Sequence, residues 1–215
     1  EHALRLGDPE RIPYLARQQR LTFHRCGVID PLDLDDYETH GGLVGLRRAI
    51  GMTGSQIVQE VTDSGLRGRG GAGFPTGIKW KTVAEAEAPQ KYIVCNADEG
   101  DSGTFADRMI IEGDPFSLIE GMAIAGLGVG ATRGYVYLRS EYPDAIRNLT
   151  QAVKIARQRG LLGPDVLGSG RAFDMEVRTG AGAYVCGEET SLLNSLEGKR
   201  GTVRAKPPLP ALQGF

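Results

Sequence analysis

Apolar and polar positions change rhythm at about residue 91. Residues 91–95 form a short β-branched and aromatic run of the buried-strand type, and residues 116–129 are an apolar run, which predicts a buried helix. A second strand is predicted over 134–138. Pro143 then opens an amphipathic helix in which Ile146, Leu149, Val153 and Ala156 share a face and which Gly160 closes. Residues 173–178 alternate as a third strand. The order β, α, β, α, β predicts an α/β fold whose parallel sheet is covered on both faces by crossover helices. Upstream, Ile57, Val58 and Val61 give residues 55–64 helical spacing. Residues 1–50 read as a helical lead-in, with helix over 11–20 and 43–50 and a turn at Ile29-Asp-Pro31.

Composition narrows the function classes. Glycine contributes 31 of 215 residues, about twice its usual ~7 % share. A net charge of -2 and a pI near 6.0 argue against a nucleic-acid partner. Cys26, Cys95 and Cys186 are far apart and form no C-x-x-C, which points to a reducing, cytoplasmic setting, and His2, His24 and His40 share no ligand spacing, so no metal site is expected. Residues 121–131 are too few and too glycine-rich to span a bilayer. The start without methionine and the end at Phe215, straight after a proline-rich run, suggest part of a longer protein.

The densest chemistry lies in residues 65–80, where six glycines stand among Arg67, Arg69 and Lys79. Glycine lets backbone N–H groups approach an anion closely, and the cations favour phosphate. Gly68, Gly70 and Gly73 satisfy G-x-G-x-x-G, but a helix rather than a strand leads in, and Pro75 and Gly77 follow too soon for a clean helix start. The absence of Gly-Lys-Ser/Thr excludes a Walker loop, leaving a phosphate loop of another kind, with a glycine-rich connector as the bland alternative.

Ligands of parallel sheets gather at the carboxyl ends of the strands. The first strand runs into Asn96, Asp98, Glu99 and Asp101, suited to ribityl or ribose hydroxyls; a divalent-cation site or a solvated turn are the alternatives. Beyond the third strand, Gly187 precedes a short helix with Glu188 and Glu189 in its first turn, where they complement the helix dipole and are placed to hydrogen-bond a base amide or hydroxyl. Cys186 reads as a buried structural cysteine rather than a nucleophile. The basic, proline-rich stretch 199–210 reads as a linker or docking arm.

The glycine-rich stretch 65–80, Asn96-Ala-Asp-Glu99, Gly180-Ala-Gly-Ala-Tyr-Val-Cys-Gly-Glu-Glu-Thr190, Asn194-Ser-Leu-Glu-Gly198 and Lys206-Pro-Pro resemble the motifs of the family of FMN- and NADH-binding flavoprotein subunits. That family serves complex I and the diaphorase subunits of soluble NAD-linked formate dehydrogenases and hydrogenases. The resemblance, closest to the soluble branch, implies a Rossmann-like FMN- and NAD-binding domain over 51–215 after the 1–50 lead-in, ending before a C-terminal iron-sulfur region. It places Gly68, Arg69, Gly70, Gly71 and Lys79 at the FMN phosphate, and Asn96, Asp98 and Glu99 at its ribityl and ring atoms. Tyr184, Gly187, Glu188 and Glu189 would line the flavin and nicotinamide region. Phe74, Asp101, Glu189 and Lys206 would seat NAD, with Glu189 and Glu99 as catalytic candidates. Asp101 stands where respiratory members usually carry Glu, and Thr82 and Leu209 replace aromatics that flank the adenine. The implied chemistry is hydride transfer between NAD(H) and FMN, with electrons passed singly to or from an iron-sulfur cluster outside this segment, a [4Fe-4S] cluster being expected in that C-terminal region, and with iron-sulfur electron-transfer subunits as partners. A respiratory complex I subunit, a non-catalytic electron-transfer scaffold and a nucleotide-sensing module are the alternatives.

Overall fold

The structure, a computed structural model, describes residue 5 and residues 7–214; His2 and Phe215 lie outside the described residues. Helices α1 (Pro13–Ala16), α2 (Leu34–Thr39), α3 (Val44–Ala49), α4 (Gly54–Asp63) and α5 (Thr76–Glu85) precede strand β1 (Tyr92–Ala97). Helices α6 (Ala106–Gly113) and α7 (Pro115–Val129) lead to β2 (Arg133–Leu138), α8 (Pro143–Gln158) leads to β3 (Asp174–Thr179), and α9 (Glu189–Leu196) follows.

The three strands form a parallel sheet in the order β1-β2-β3, with Cys95 beside Val136 and Val136 beside Val177. Alternation sends Ile93, Cys95, Ala97, Val136, Leu138, Met175 and Val177 into the main core, where the buried faces of both crossover helices, α7 and α8, meet them. The expectation that crossovers cover both faces is corrected here. Sheet order follows chain order, so two crossovers of the same hand lie on the same side. The opposite face packs instead on α9, through a smaller cluster of Val94, Tyr137, Cys186, Leu192 and Leu193.

Local chemistry accounts for most of the elements. Thr53 and Gln56 form a reciprocal capping box that starts α4. α7 is largely apolar because most of it is buried, with Gly121 its one exposed position, and it ends at Gly130 in the left-handed conformation. α8 buries Ala145, Leu149, Ala152, Val153 and Ala156, while Ile146 packs at the edge of the core. Contrary to the sequence reading, α5 begins immediately after Pro75, which occupies the N-cap position. Gly77 serves packing there, since a Cβ on it would lie 2.6 Å from the Thr62 Cα of α4. The loop before α5 is therefore set between two helices.

In the lead-in, the helix expected over 11–20 shrinks to a 3-10 turn at Pro9–Arg11 and the single turn of α1. α2, capped by the Asp33 carboxylate, is an addition to the elements expected from sequence. The lead-in is fixed to α7 by buried polar groups. The Glu120 carboxylate accepts from the Tyr37 hydroxyl at 2.5 Å and from the N–H groups of Leu43 and Leu46 at 2.8 Å each. Arg25 pairs with fully buried Asp114 at 2.8 Å.

Candidate functional site

The glycine-rich loop is closed by its own backbone. The Gly68 N–H donates to the Phe74 carbonyl and the Thr76 N–H to the Leu66 carbonyl, both at 2.9 Å, and the Arg67 guanidinium crosses to the Gly73 carbonyl at 2.7 Å. Gly71 and Gly73 adopt φ of 96° and 59°, a conformation that side chains rarely take. Folding in this way leaves the N–H groups of residues 69–73 without an acceptor among the described residues. Lys79, in the first turn of α5, likewise has no carboxylate partner among them, and the Arg69 guanidinium donates only to the Arg67 carbonyl. A Cβ on Gly70 would meet nothing within 4 Å, so the fold itself leaves that space open. Among the described residues, amides without acceptors, a helix start and an ammonium without a carboxylate partner face one another here, an arrangement whose chemistry suits an anion.

This loop is one wall of a cleft of about 1110 Å³. The cleft brings together Gly68, Gly70, Phe74 and Lys79 with Asn96 from β1, Gly187 and Glu189 from the start of α9, and Lys206 from the following segment. Tyr92 and Val94, on the sheet face opposite the crossovers, supply its floor with Leu192 and Leu193. Asn96 donates to the Gly187 carbonyl at 2.8 Å, joining β1 to the 3-10 turn Tyr184–Gly187.

Glu188 caps α9, accepting from the N–H groups of Thr190 at 2.8 Å and Ser191 at 3.0 Å. Burial works to raise its pKa, but hydrogen bonds from the Thr190 hydroxyl, the Ser191 N–H and Lys206 outweigh it and hold the carboxyl at about 2. Lys206 reaches Glu188 at 3.1 Å and Glu189 at 2.5 Å, and these hydrogen bonds, that to Glu189 foremost, raise its own pKa.

The acidic loop divides its carboxylates among separate tasks. Glu99 is buried, and its oxygens accept from the Asp107 N–H at 3.0 Å, the Arg108 N–H at 3.3 Å and the Tyr142 hydroxyl at 3.1 Å. Its carboxylate therefore caps α6, a helix not predicted from sequence. Asp101 accepts from the Tyr184 hydroxyl at 2.5 Å, outside the cleft lining. Asp98 is half-buried, and its pKa is raised by burial against the opposing charge of Arg139. Arg69, Gly71, Asp98, Glu99, Tyr184 and Glu188 also lie outside the lining residues. Thr82 donates to the Ile78 carbonyl within α5, and Leu209 is exposed. Cys186 is buried beside Tyr137. Among the described residues no group of three or more His, Cys, Asp or Glu could hold a metal, and no helix is long and apolar enough to cross a membrane.

Sequence reasoning missed Arg204 and Arg139. Arg204 lines the cleft from the stretch read as a linker or docking arm and bonds to α9; as one of several basic residues in an extended, non-periodic stretch it gave no signal of its own. Arg139, just past β2, donates to the Glu99 carbonyl at 2.5 Å.

The model of the Nuo51 FMN-binding domain matches residues 61–214. The chain is 55 % identical over 199 residues to HndC of Solidesulfovibrio fructosivorans, an NADP-reducing hydrogenase subunit, covering 93 % of this chain and 40 % of that protein. It is 54 % identical over 183 residues to an NADH-quinone oxidoreductase subunit of Rhizobium meliloti, covering 85 % of this chain and 44 % of that one. The chain thus spans about two fifths of the length of these relatives. Among solved structures, an NAD+-reducing [NiFe]-hydrogenase in the H2-reduced state aligns with TM-score 0.73 and 37 % identity over 98 % of this chain and 35 % of its own. The glycine-rich loop, the cleft and the α9 turn all fall within the matched residues, and the chain belongs to the family of Nuo51 FMN-binding domains.

Proposed function

We propose that this chain is the FMN- and NAD(H)-binding part of a diaphorase-type flavoprotein subunit, within a soluble NAD-linked hydrogenase or formate dehydrogenase. The observation that carries the reading is the run of N–H groups over residues 69–73 that find no acceptor among the described residues, beside Lys79, which finds no carboxylate among them, opening on a cleft large enough for two stacked rings. Those amides and Lys79 would hold the FMN phosphate, and Asn96 with the half-buried Asp98 would meet its ribityl and ring polar atoms. Glu189 and Lys206, across the cleft, would orient the dinucleotide. Bound FMN supplies a hydride acceptor that can also exchange single electrons with iron-sulfur clusters of partner subunits.

The protein's part is to stack two rings in register and exclude water, which needs no general acid or base. Glu99, whose oxygens accept from the Asp107 and Arg108 N–H groups at the start of α6, would act on the site through the acidic loop. Residues 1–50 act as a mount for the 51–215 binding domain, tied to it through Glu120 and Asp114. A hydrogenase of the NAD+-reducing type among the structural neighbours and HndC among the relatives favour the soluble, cytoplasmic branch. Likeness to the Rhizobium meliloti protein makes the respiratory NADH-quinone oxidoreductase the second reading.

An absorption spectrum of the full-length protein, before and after anaerobic NADH, tests the proposal. Flavin bands near ~450 nm that bleach are expected. Bands that stay unchanged favour a scaffold that holds flavin without a working dinucleotide site, and folded protein without flavin overturns the reading.

A further inference from the structure

The segment 199–214 forms one rim of the cleft, yet polar contacts rather than apolar burial hold it. None of its described side chains is buried, and Val203, Leu209 and Leu212 are all more than half exposed. Arg204 is its main fastening. Its backbone N–H donates to the Thr190 hydroxyl at 2.8 Å, and its guanidinium donates to the Asn194 side-chain oxygen at 2.8 Å, the Glu197 carboxylate at 3.2 Å and the Gly214 carbonyl at 2.6 Å. One side chain thus ties the middle of the strap to α9 and to its own C-terminal end at Gly214. Buried Asn194 completes the clamp by donating to the Thr202 carbonyl at 2.8 Å.

The same clamp is continuous with the charged pair in the cleft. The Thr190 hydroxyl that accepts from Arg204 donates in turn to Glu188, and Glu188 takes Lys206 on its other oxygen. Lys206 lies only two positions beyond Arg204, so its reach to Glu188 and Glu189 depends on the register that Arg204 sets.

We propose that Arg204 is a positioning residue: by fastening the 199–214 strap to α9 it holds Lys206 against Glu188 and Glu189, and so sets dinucleotide affinity while leaving the flavin end of the cleft alone. This rests on the dinucleotide role proposed for the cleft. Loss of the guanidinium frees the strap to swing from the rim, and the ammonium of Lys206 loses its fixed place opposite the carboxylates.

The test uses the full-length protein with Arg204→Gln, Arg204→Lys, Lys206→Met and the Arg204→Gln/Lys206→Met double variant. Amides of the strap in Arg204→Gln are expected to exchange hydrogen about tenfold faster, because a local opening loses several charged hydrogen bonds. With NADH and ferricyanide, KM should rise about tenfold and kcat change less than about twofold, the pattern of lost binding shared by ground and transition states. The FMN dissociation constant, read by flavin fluorescence, should stay within about twofold, and Arg204→Lys should fall between wild type and Arg204→Gln. The double variant should match Lys206→Met alone, because the two residues act as one unit. An unchanged KM despite faster exchange, or independent multiplicative losses in the double variant, overturns the proposal. Wild-type protein that does not oxidise NADH at all overturns the functional reading instead. The clamp is then judged on exchange and on whether the two substitutions are coupled in thermal stability: coupling supports it, additivity overturns it.

Discussion

Asn96 donates its side-chain amide to the Gly187 carbonyl at 2.8 Å across 91 positions of sequence. That bond joins the open end of β1 to the turn that starts α9, and with it the two walls of the cleft. Aspartate has the same shape but no N–H to give, and it would face a carbonyl with a negative charge. Asn96→Asp should lower stability by about 1 kcal/mol, seen as a melting shift of about 2–4 °C. An unchanged melting temperature would mean that the two walls are held together elsewhere.

Gly70 separates the needs of the fold from those of a ligand. No protein atom stands within 4 Å of a Cβ built there, and its φ is not in the left-handed range. Gly70→Ala should leave the melting temperature within about 1–2 °C, a surface-type change in stability. The same methyl occupies space beside the free amides, so FMN affinity should drop about tenfold or more, measured by fluorescence titration of apoprotein. A stable variant with wild-type affinity would move the phosphate away from this loop.

Glu189 pairs with Lys206 at 2.5 Å on the wall facing the glycine-rich loop. Glu189→Gln should reduce kcat/KM for NADH about tenfold or more, as expected when a charged group that orients the substrate is neutralised. FMN should remain bound. Loss of the flavin from well-folded Glu189→Gln would assign this residue to the FMN site instead.

Acid should reveal the Glu188 cap. Its folded pKa is about 2, below the ordinary carboxylate value of 4.5. The stabilisation is therefore complete above pH 4.5 and is lost as pH falls from there towards 2. Because the side chain is 31 % exposed, the contribution is about 1–2 kcal/mol after solvent screening. Melting curves from pH 6 to pH 2 should converge for wild type and Glu188→Gln at the acid end. Parallel curves would leave Glu188 without this role.

Glu120 holds the lead-in from inside the core, with three donors on its two oxygens. Glu120→Ala leaves the Leu43 and Leu46 N–H groups and the Tyr37 hydroxyl buried without acceptors, at an expected cost of about 3–5 kcal/mol. Limited proteolysis should then cut first between residues 30 and 50. Unaltered cleavage would mean that apolar packing alone retains the lead-in.

The sheet and its two crossover helices were legible because each follows a local period. β1, β2 and β3 fall within two residues of the runs read at 91–95, 134–138 and 173–178. α6 was not legible, because its cap is Glu99, seven positions before the helix begins, rather than a residue at the N-cap. For the same reason the carboxylates of 98–101 looked like one ligand-facing group, whereas Glu99 faces a helix end and Asp101 faces Tyr184. The glycine-rich loop showed its glycines and cations in the sequence but not its entry into α5, since proline and glycine usually break helices, and here one stands at the cap and the other at a close helix contact. Arg204 escaped notice because its partners in α9 and at Gly214 come together only when the chain turns back.

The alternation of β1 gives protein engineers a parity rule. Ile93, Cys95 and Ala97 sit in the main core, whereas Tyr92, Val94 and Asn96 border the cleft. A randomised library confined to the even positions can therefore search for altered cofactor preference with the main core intact, while one confined to the odd positions searches for heat tolerance on an unaltered ligand surface.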